Sequence, residues 1–146
     1  SAEILALAHR GVTRFYTGMA QGVDQWAARL VLEARDSGLS LELVAVLPCP
    51  SQAAGWRGQE RDCYFDLLAR CDEVITCSPF YTPQCMLARN RWLVEHAGTL
   101  LAVYNGAPRS GTAYTVRCAR RAGRELILIH PDTLAISRTL AQEPCQ

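Results

Sequence analysis

This sequence of 146 residues has little net charge, no long apolar run and no leader pattern. The formal net charge is +1, from 15 basic and 14 acidic residues, so no charge excess favours a polyanionic partner. No apolar run reaches the length of a membrane span, and residues 1–5 lack the basic lead of a signal peptide. We therefore predict a cytoplasmic protein that does not enter a membrane and whose main partner is not a nucleic acid.

Closely spaced cysteine pairs and metal-type histidine spacings are also missing. The number of cysteines, seven, is odd, and no two of them have the two-residue spacing of a zinc knuckle. Most lie within apolar patterns, where a free thiol behaves as a small hydrophobic group. We predict no metal site and reduced structural thiols, with Cys49, at a predicted strand end, as the candidate for a redox-sensitive thiol. The cysteines are Cys49, Cys63, Cys71, Cys77, Cys85, Cys118 and Cys145.

The sequence does contain a regular alternation of short apolar runs and amphipathic helical patterns. Nearly continuous apolar runs are typical of strands in a parallel sheet that is covered on both faces. The predicted strands cover residues 14–17, 41–47, 73–77, 99–104 and 125–129. The predicted helices cover residues 1–10, 23–35, 60–70, 84–96 and 111–122.

This alternation predicts an α/β, Rossmann-like fold: a doubly wound, mainly parallel sheet flanked by helices. The length fits a single domain over residues 1–146, with a C-terminal tail from residue 131 that contains a short helix at about 133–140. On the helix at 23–35, Trp26, Leu30 and Ala34 share one stripe. We predict that Trp26 and Trp92 lie in the core.

Two strand-to-helix junctions carry glycines or small polar residues. The first has Gly18 and Gly22, and the second has Ser110, Gly111 and Thr112. Such a junction lets the backbone approach a phosphate at a helix N-terminus, although a tight turn needs glycine anyway and Ser110 also suits a plain N-cap. Because ligands of open α/β sheets bind at the carboxyl ends of the strands, the two junctions predict one shared nucleotide-sized ligand.

Several segments together resemble a known family. These segments are residues 18–28 (GMAQGVDQWAA), 47–49 (LPC), 81–86 (YTPQCM), 89–92 (RNRW) and 110–116 (SGTAYTV). Over residues 2–131 they look like the YpsA-like domain of unknown function, in the SLOG superfamily of Rossmann-like proteins, with DprA/Smf and the LOG enzymes. Members usually open with a strand ending Thr-Gly-His-Arg. We expect this first strand to be absent here and the chain to be a trimmed form, so contacts of that strand are not carried over.

The resemblance favours roles for the two glycines and for Arg89, and the positions of Asp24 and Trp56 in the chain suggest others. Gly18 and Gly22 would cradle phosphate or ribose, and Asp24 would accept from ribose hydroxyls or would cap its helix. Arg89 matches the substrate-facing arginine of the Met-His-x-Arg-Lys helix of LOG enzymes and would pair with a phosphate, whereas an exposed helix arginine is the ordinary alternative. Further candidates are Asn90 and Tyr81. Trp56 would either stack on a base or lie buried under its own loop.

The second cradle departs from the LOG pattern. In LOG enzymes a catalytic glutamate follows the Gly-Gly-x-Gly-Thr cradle within three residues, whereas Gly111 and Thr112 are followed by Ala113, Tyr114 and Thr115. Asp24 is then the one candidate catalytic residue, and whether the chain is an enzyme stays open.

We predict a homo-oligomeric sensor or binding module for a nucleotide or nucleotide derivative, such as a nucleoside phosphate or an ADP-ribose-like molecule, with no certain cofactor. One alternative is a nucleotide hydrolase of the phosphoribohydrolase type. The other is DprA-like binding of single-stranded DNA through Arg117, Arg120, Arg121 and Arg124.

Overall fold

The computed structural model describes residues 1–143, in which helices and strands alternate until a final pair of strands. The elements are α1 (Ala2–His9), β1 (Arg14–Thr17), α2 (Val23–Asp36), β2 (Glu42–Leu47), α3 (Gly58–Arg70), β3 (Glu73–Thr76), α4 (Cys85–His96), β4 (Thr99–Val103), α5 (Gly111–Arg121), β5 (Glu125–Ile129) and β6 (Ile136–Thr139). The predicted α/β, Rossmann-like class is confirmed, and all five predicted strands are present within two residues of their predicted bounds.

The chain divides into two compact units, and the first is Ser1–Thr82. Its sheet has the order β1-β2-β3, with all strands parallel and Arg14 opposite Glu42 in the register. β2 is the middle strand and is buried from Leu43 to Leu47, which explains its unbroken apolar sequence. β3 lies at an edge of this sheet and is largely exposed.

The second unit begins at Pro83 and contains α4, α5 and a three-stranded sheet with the order β4-β5-β6. β4 and β5 are parallel, and Thr99 pairs with Glu125. Val94, Ala119 and Leu126 form a buried cluster between the helices and the sheet. The small Ala119 and the apolar residues around it let α5 approach β5 closely.

The face that α2 buries agrees with the predicted stripe at Ala34 but not at Trp26. The prediction that Trp26 lies in the core is wrong, because its side chain is 64% exposed, while Ala28, Val31 and Leu32 are buried. These three residues follow helical spacing and present smaller side chains, so the helix packs more closely on the sheet than a Trp26 stripe would allow. Trp92 of α4 lies half-buried and stacks on His96, with ring centroids 3.8 Å apart.

The tail differs as well. The predicted helix at about 133–140 is wrong, because Ile136–Thr139 is a strand that pairs antiparallel with β5. All four residues of β6 are exposed, so backbone hydrogen bonds to the free edge of β5, rather than burial, select the strand. Cys145, at the end of the tail, lies outside the described residues. Among residues 1–143 no helix has both the length and the apolar character that a membrane crossing requires.

Candidate functional site

The turn between β1 and α2, residues 18–22, is held by side chains at both of its ends. The Thr17 hydroxyl accepts from the Met19 N–H (3.2 Å) and donates to the Asp24 carbonyl oxygen (3.1 Å). Asp24 Oδ2 accepts from the Ala20 N–H at 3.2 Å. The last residue of the strand and the first turn of the helix therefore clamp the backbone between them. We call residues 18–22 the β1–α2 turn.

Two glutamines hold the carbonyl groups of the same turn. Gln52, from the loop after β2, donates from Nε2 to the Gly18 carbonyl oxygen at 3.2 Å. The buried Gln25 donates from Nε2 to the Met19 carbonyl oxygen at 3.5 Å. The carbonyl groups of the turn thus point toward protein donors. A turn fixed in this way has little conformational freedom left to lose on binding.

Met19 has an unusual backbone conformation that the sequence does not signal. Its φ angle is +57°, in the left-handed region, and its side chain is fully buried. A non-glycine residue in this region costs about 1–3 kcal/mol and persists where the surrounding structure enforces it, often at functional sites. Methionine has no preference for this conformation, so only the tertiary structure reveals it.

Gly22 is the N-cap of α2 and has a φ angle of +87°. Nothing lies within 4 Å of the position where a Cβ would stand, so the conformation and not crowding requires glycine there. Gly22 has no side chain, so the N-cap residue itself makes no capping hydrogen bond to α2. Its first backbone N–H groups therefore give this end of the helix a partial positive charge, beside the carboxyl end of β1.

Asp24 lies half-buried in the first turn of α2. Its carboxylate accepts from the Ala20 N–H, which precedes α2, so this hydrogen bond fixes the turn and does not cap the helix. The contact with a sugar stays a prediction, and so does a catalytic role.

In the second unit, the start of α5 lies against α4. The Ser110 hydroxyl accepts from the Ala113 N–H at 2.9 Å, which confirms the N-cap alternative. The Thr115 hydroxyl donates to the Gly111 carbonyl oxygen at 2.9 Å. A Cβ at Gly111 would stand 3.7 Å from Asn90 Nδ2, which shows that the Asn90 side chain lies against this turn.

Arg89 is the buried cation of this unit. Its side chain is only 3% exposed, so the expectation of an ordinary exposed helix arginine is wrong. Arg89 Nε donates to Asn90 Oδ1 at 2.9 Å. The guanidinium group, the Asn90 amide and the start of α5 are therefore linked through Asn90. Thr112 lies half-buried in the first turn of α5.

The remaining candidates lie elsewhere or have other contacts. Trp56 is half-buried and meets Tyr64 edge-on at 5.0 Å between ring centroids, as expected if it packs beneath its own loop. Tyr81 is 69% exposed. Cys49 is buried, with its sulfur 3.6 Å from the Ser51 hydroxyl. In the basic stretch, Arg117 and Arg124 donate to backbone carbonyl groups of Pro108 and Val94.

Gly18, Gly22 and Asp24 thus meet in one turn of the first unit, and Arg89, Asn90 and the residues 110–112 meet in the second. The prediction of one ligand shared by the two turns stays a prediction. Sequence reasoning missed Met19, Gln25 and Gln52, since their contacts join positions that no local pattern links.

A model of the YspA SLOG family matches residues 1–134. The chain belongs to this family. The match contains every residue that we proposed for the site, so the turns described above lie within the family domain. The family assignment confirms the resemblance to the YpsA-like domain that the sequence segments predicted.

The chain is similar in sequence to several curated proteins. The chain is 29% identical over 121 residues to a UPF0398 protein of Halalkalibacterium halodurans, covering 82% of this chain and 64% of that protein. It is 31% identical over 104 residues to UPF0398 proteins of Bacillus thuringiensis and Bacillus cereus, covering 70% of this chain and 56% of each. The chain thus spans about three-fifths of the length of these relatives.

Proposed function

We propose that this member of the YspA SLOG family binds a nucleotide or a nucleotide derivative, and that it acts as a sensor or binding module. The phosphate would accept hydrogen bonds from the backbone at the start of α2. The sugar would lie on the side of Asp24. Membership of the family and the form of the β1–α2 turn support this proposal.

The β1–α2 turn is the observation that carries the proposal. Four side chains fix its backbone, Met19 is held in a strained conformation, and the N-cap of α2 is Gly22. The left-handed conformation of Met19 has a cost in stability, and Gly22 offers no side chain to the first N–H groups of α2. A bound anion would satisfy the N–H groups and complement the helix dipole, and it would offset that cost.

The start of α5 supplies a second anion-binding element in the proposal. The Arg89 guanidinium group is buried, where the effective dielectric constant is lower than in water, so its attraction for a phosphate in contact with it would be stronger. Asn90 orients the guanidinium group through its Oδ1.

A thermal-shift screen tests the proposal. We expect nucleoside monophosphates, nucleoside diphosphates, NAD or ADP-ribose to raise the melting temperature, because a ligand that binds only the folded state stabilises it by mass action. At a ligand concentration of about 100 Kd the gain is about 2.7 kcal/mol. For a domain of this size that gain corresponds to roughly 5–10 °C.

The matched variants are Arg89→Gln and Arg120→Gln. Both remove one positive charge, but Arg120 lies exposed in the last turn of α5, away from its start. The shift should shrink in Arg89→Gln and persist in Arg120→Gln. If no nucleotide stabilises the unmodified chain, the proposal is wrong.

Turnover would distinguish a hydrolase from a binding module. The Asp24 carboxylate is engaged with the Ala20 N–H, and no carboxylate stands among residues 112–115 of α5. We therefore favour binding without hydrolysis. If a bound nucleotide is cleaved, and Asp24→Asn abolishes cleavage while binding persists, the hydrolase alternative replaces the binding module.

A further inference from the structure

A cleft lies between the first halves of α2 and α3, directly beside the β1–α2 turn. Its volume is about 260 Å³, and Gly22, Trp26, Arg29 and Glu60 are among its lining residues. This volume falls just below the range of about 300–1,000 Å³ that is typical of clefts for drug-sized ligands. The cleft therefore suits a single ring system and not a dinucleotide. We call it the α2–α3 cleft.

Trp26 offers this cleft an aromatic surface that the core does not use. The side chain is 64% exposed, although the same helix buries Ala28, Val31 and Leu32 against the rest of the unit. An exposed indole in the wall of a concave site can stack on a planar ligand. Removal of an aromatic side chain on which a base stacks weakens binding about 5- to 150-fold.

The polar lining of the cleft carries both a carboxylate and a guanidinium group. Glu60 lies in the first turn of α3, and its Oε2 accepts from Gln21 Nε2 at 3.0 Å. Arg29 lies one turn after Trp26 on α2. The lining thus contains an acceptor with two oxygens, a donor with several N–H groups and an aromatic ring.

This combination matches guanine better than the other bases. Guanine presents N1–H and an N2 amino group as neighbouring donors, which suit a carboxylate, and O6 and N7 as acceptors, which suit a guanidinium group. Adenine offers no ring N–H on that edge, so a carboxylate would meet the N1 lone pair and repel it. Pyrimidines have a smaller surface for stacking.

We propose that the α2–α3 cleft binds a guanine base, an inference that rests on the proposed nucleotide function. Trp26 stacks on the base, Glu60 accepts from its N1–H and amino group, and Arg29 donates to its O6 or N7. Gly22 belongs both to the cleft and to the β1–α2 turn. A guanine nucleotide can therefore place its base in the cleft and its phosphate at the start of α2 without leaving the first unit.

Calorimetric titration of the 146-residue chain with GMP, IMP, AMP and CMP tests this inference. We expect GMP to bind at least tenfold more tightly than AMP or CMP, and IMP, which lacks the amino group, to fall between them. Trp26→Ala should weaken GMP about 5- to 150-fold. Glu60→Gln should reduce the preference for GMP over AMP.

Phe80→Ala is the matched control, because Phe80 is 72% exposed and does not line the cleft. The Phe80→Ala variant should bind GMP with the same affinity as the unmodified chain. The indole N–H signals in a ¹H–¹⁵N spectrum give a second readout, in which GMP is titrated into the unmodified chain and the conservative variant Trp26→Phe serves only to assign the Trp26 signal. Of the 3 tryptophans, GMP should shift chiefly the signal that Trp26→Phe removes.

The outcomes separate this inference from the function on which it rests. If nucleotides bind but Trp26→Ala has no effect, or if AMP binds as tightly as GMP, the cleft assignment is overturned and the proposed function stands. If no nucleotide binds the unmodified chain, both are overturned.

Discussion

Two residues of the β1–α2 turn have backbone conformations that L-amino acids rarely adopt. Gly22 adopts its conformation at no steric cost because glycine has no Cβ. Met19 adopts a positive φ angle although methionine favours negative ones. The buried Met19 side chain and the hydrogen bonds to its backbone hold the conformation in place. At the scale of single residues, the turn therefore has a conformational cost that the packing of the first unit offsets.

Replacement of Gly22 by alanine should destabilise the fold by about 1–3 kcal/mol, because an L-residue is strained at a φ angle of +87° and a ψ angle of −120°. Gly111→Ala is the matched control: its Cβ would stand 3.7 Å from Asn90 Nδ2, which is an ordinary contact, and its stability should change little. Urea unfolding of both variants measures the difference. Equal losses would show that backbone conformation is not what requires glycine at position 22.

At the scale of elements, Asp72 joins β2 to α2 and β3. Its Oδ2 accepts from the Leu43 N–H at 2.8 Å and from Arg35 Nη1 at 3.0 Å. Its own N–H donates to the Leu43 carbonyl oxygen, also at 2.8 Å. The hydrogen bond from the Leu43 backbone, together with the Arg35 guanidinium group, holds the pKa of the Asp72 carboxyl below its usual value.

This lowered pKa predicts a pH-dependent contribution to stability. Since the folded state binds the Asp72 proton less tightly than the unfolded state, the contribution is full above the unfolded pKa and is lost as the pH falls through the folded value. Asp72→Asn should therefore lose about 1 kcal/mol at pH 7, a modest figure because the side chain is 39% exposed. The loss should shrink in acid.

Asp36→Asn is the control, because Asp36 forms an exposed ion pair with Arg70 that contributes little. Chemical unfolding of the three proteins between pH 7 and pH 3 makes the comparison. A constant gap between Asp72→Asn and the unmodified chain across this range would contradict the assignment.

At the scale of the whole molecule, the cysteine thiols differ in burial and therefore in expected reactivity. None of the six described cysteines forms a disulfide bond; Cys49 and Cys85 are buried, and the other four are half-buried. Burial, and next the neighbouring Asp72 carboxylate, raise the pKa of the Cys71 thiol, so little of it is the reactive thiolate. Cys145 lies outside the described residues.

Labelling with a thiol reagent should therefore proceed in stages. All 7 cysteines should react in denaturant, since none is expected to form a disulfide, while Cys49 and Cys85 should react slowly in the native protein. Cys71 should be slower than its partial exposure alone suggests. Peptide mapping of the labelled chain measures each rate. Fast native labelling of Cys49 would instead support a redox role for this residue.

The assembly and compartment of the protein stay predictions. Apolar residues at the exposed end of the second unit, such as Leu134 and Leu140, are compatible with the expected homo-oligomer, and light scattering would determine its size. The single-domain organisation over residues 1–146 likewise stays a prediction.

The sequence by itself determined the alternation of strands and helices and the places where they meet. Unbroken apolar runs, helical spacing and turn glycines act over a few residues, so the five parallel-type strands, the Ser110 cap and the need for glycine at position 22 could be predicted.

Only the tertiary structure decided which face of α2 is buried, that the tail adds a strand, and that Met19 is strained and Arg89 buried. Each of these outcomes depends on residues far apart along the chain. Packing volume selected Ala28 over Trp26, and the free edge of β5 selected a strand at Ile136–Thr139. Such choices are made by non-local contacts, which no local pattern encodes.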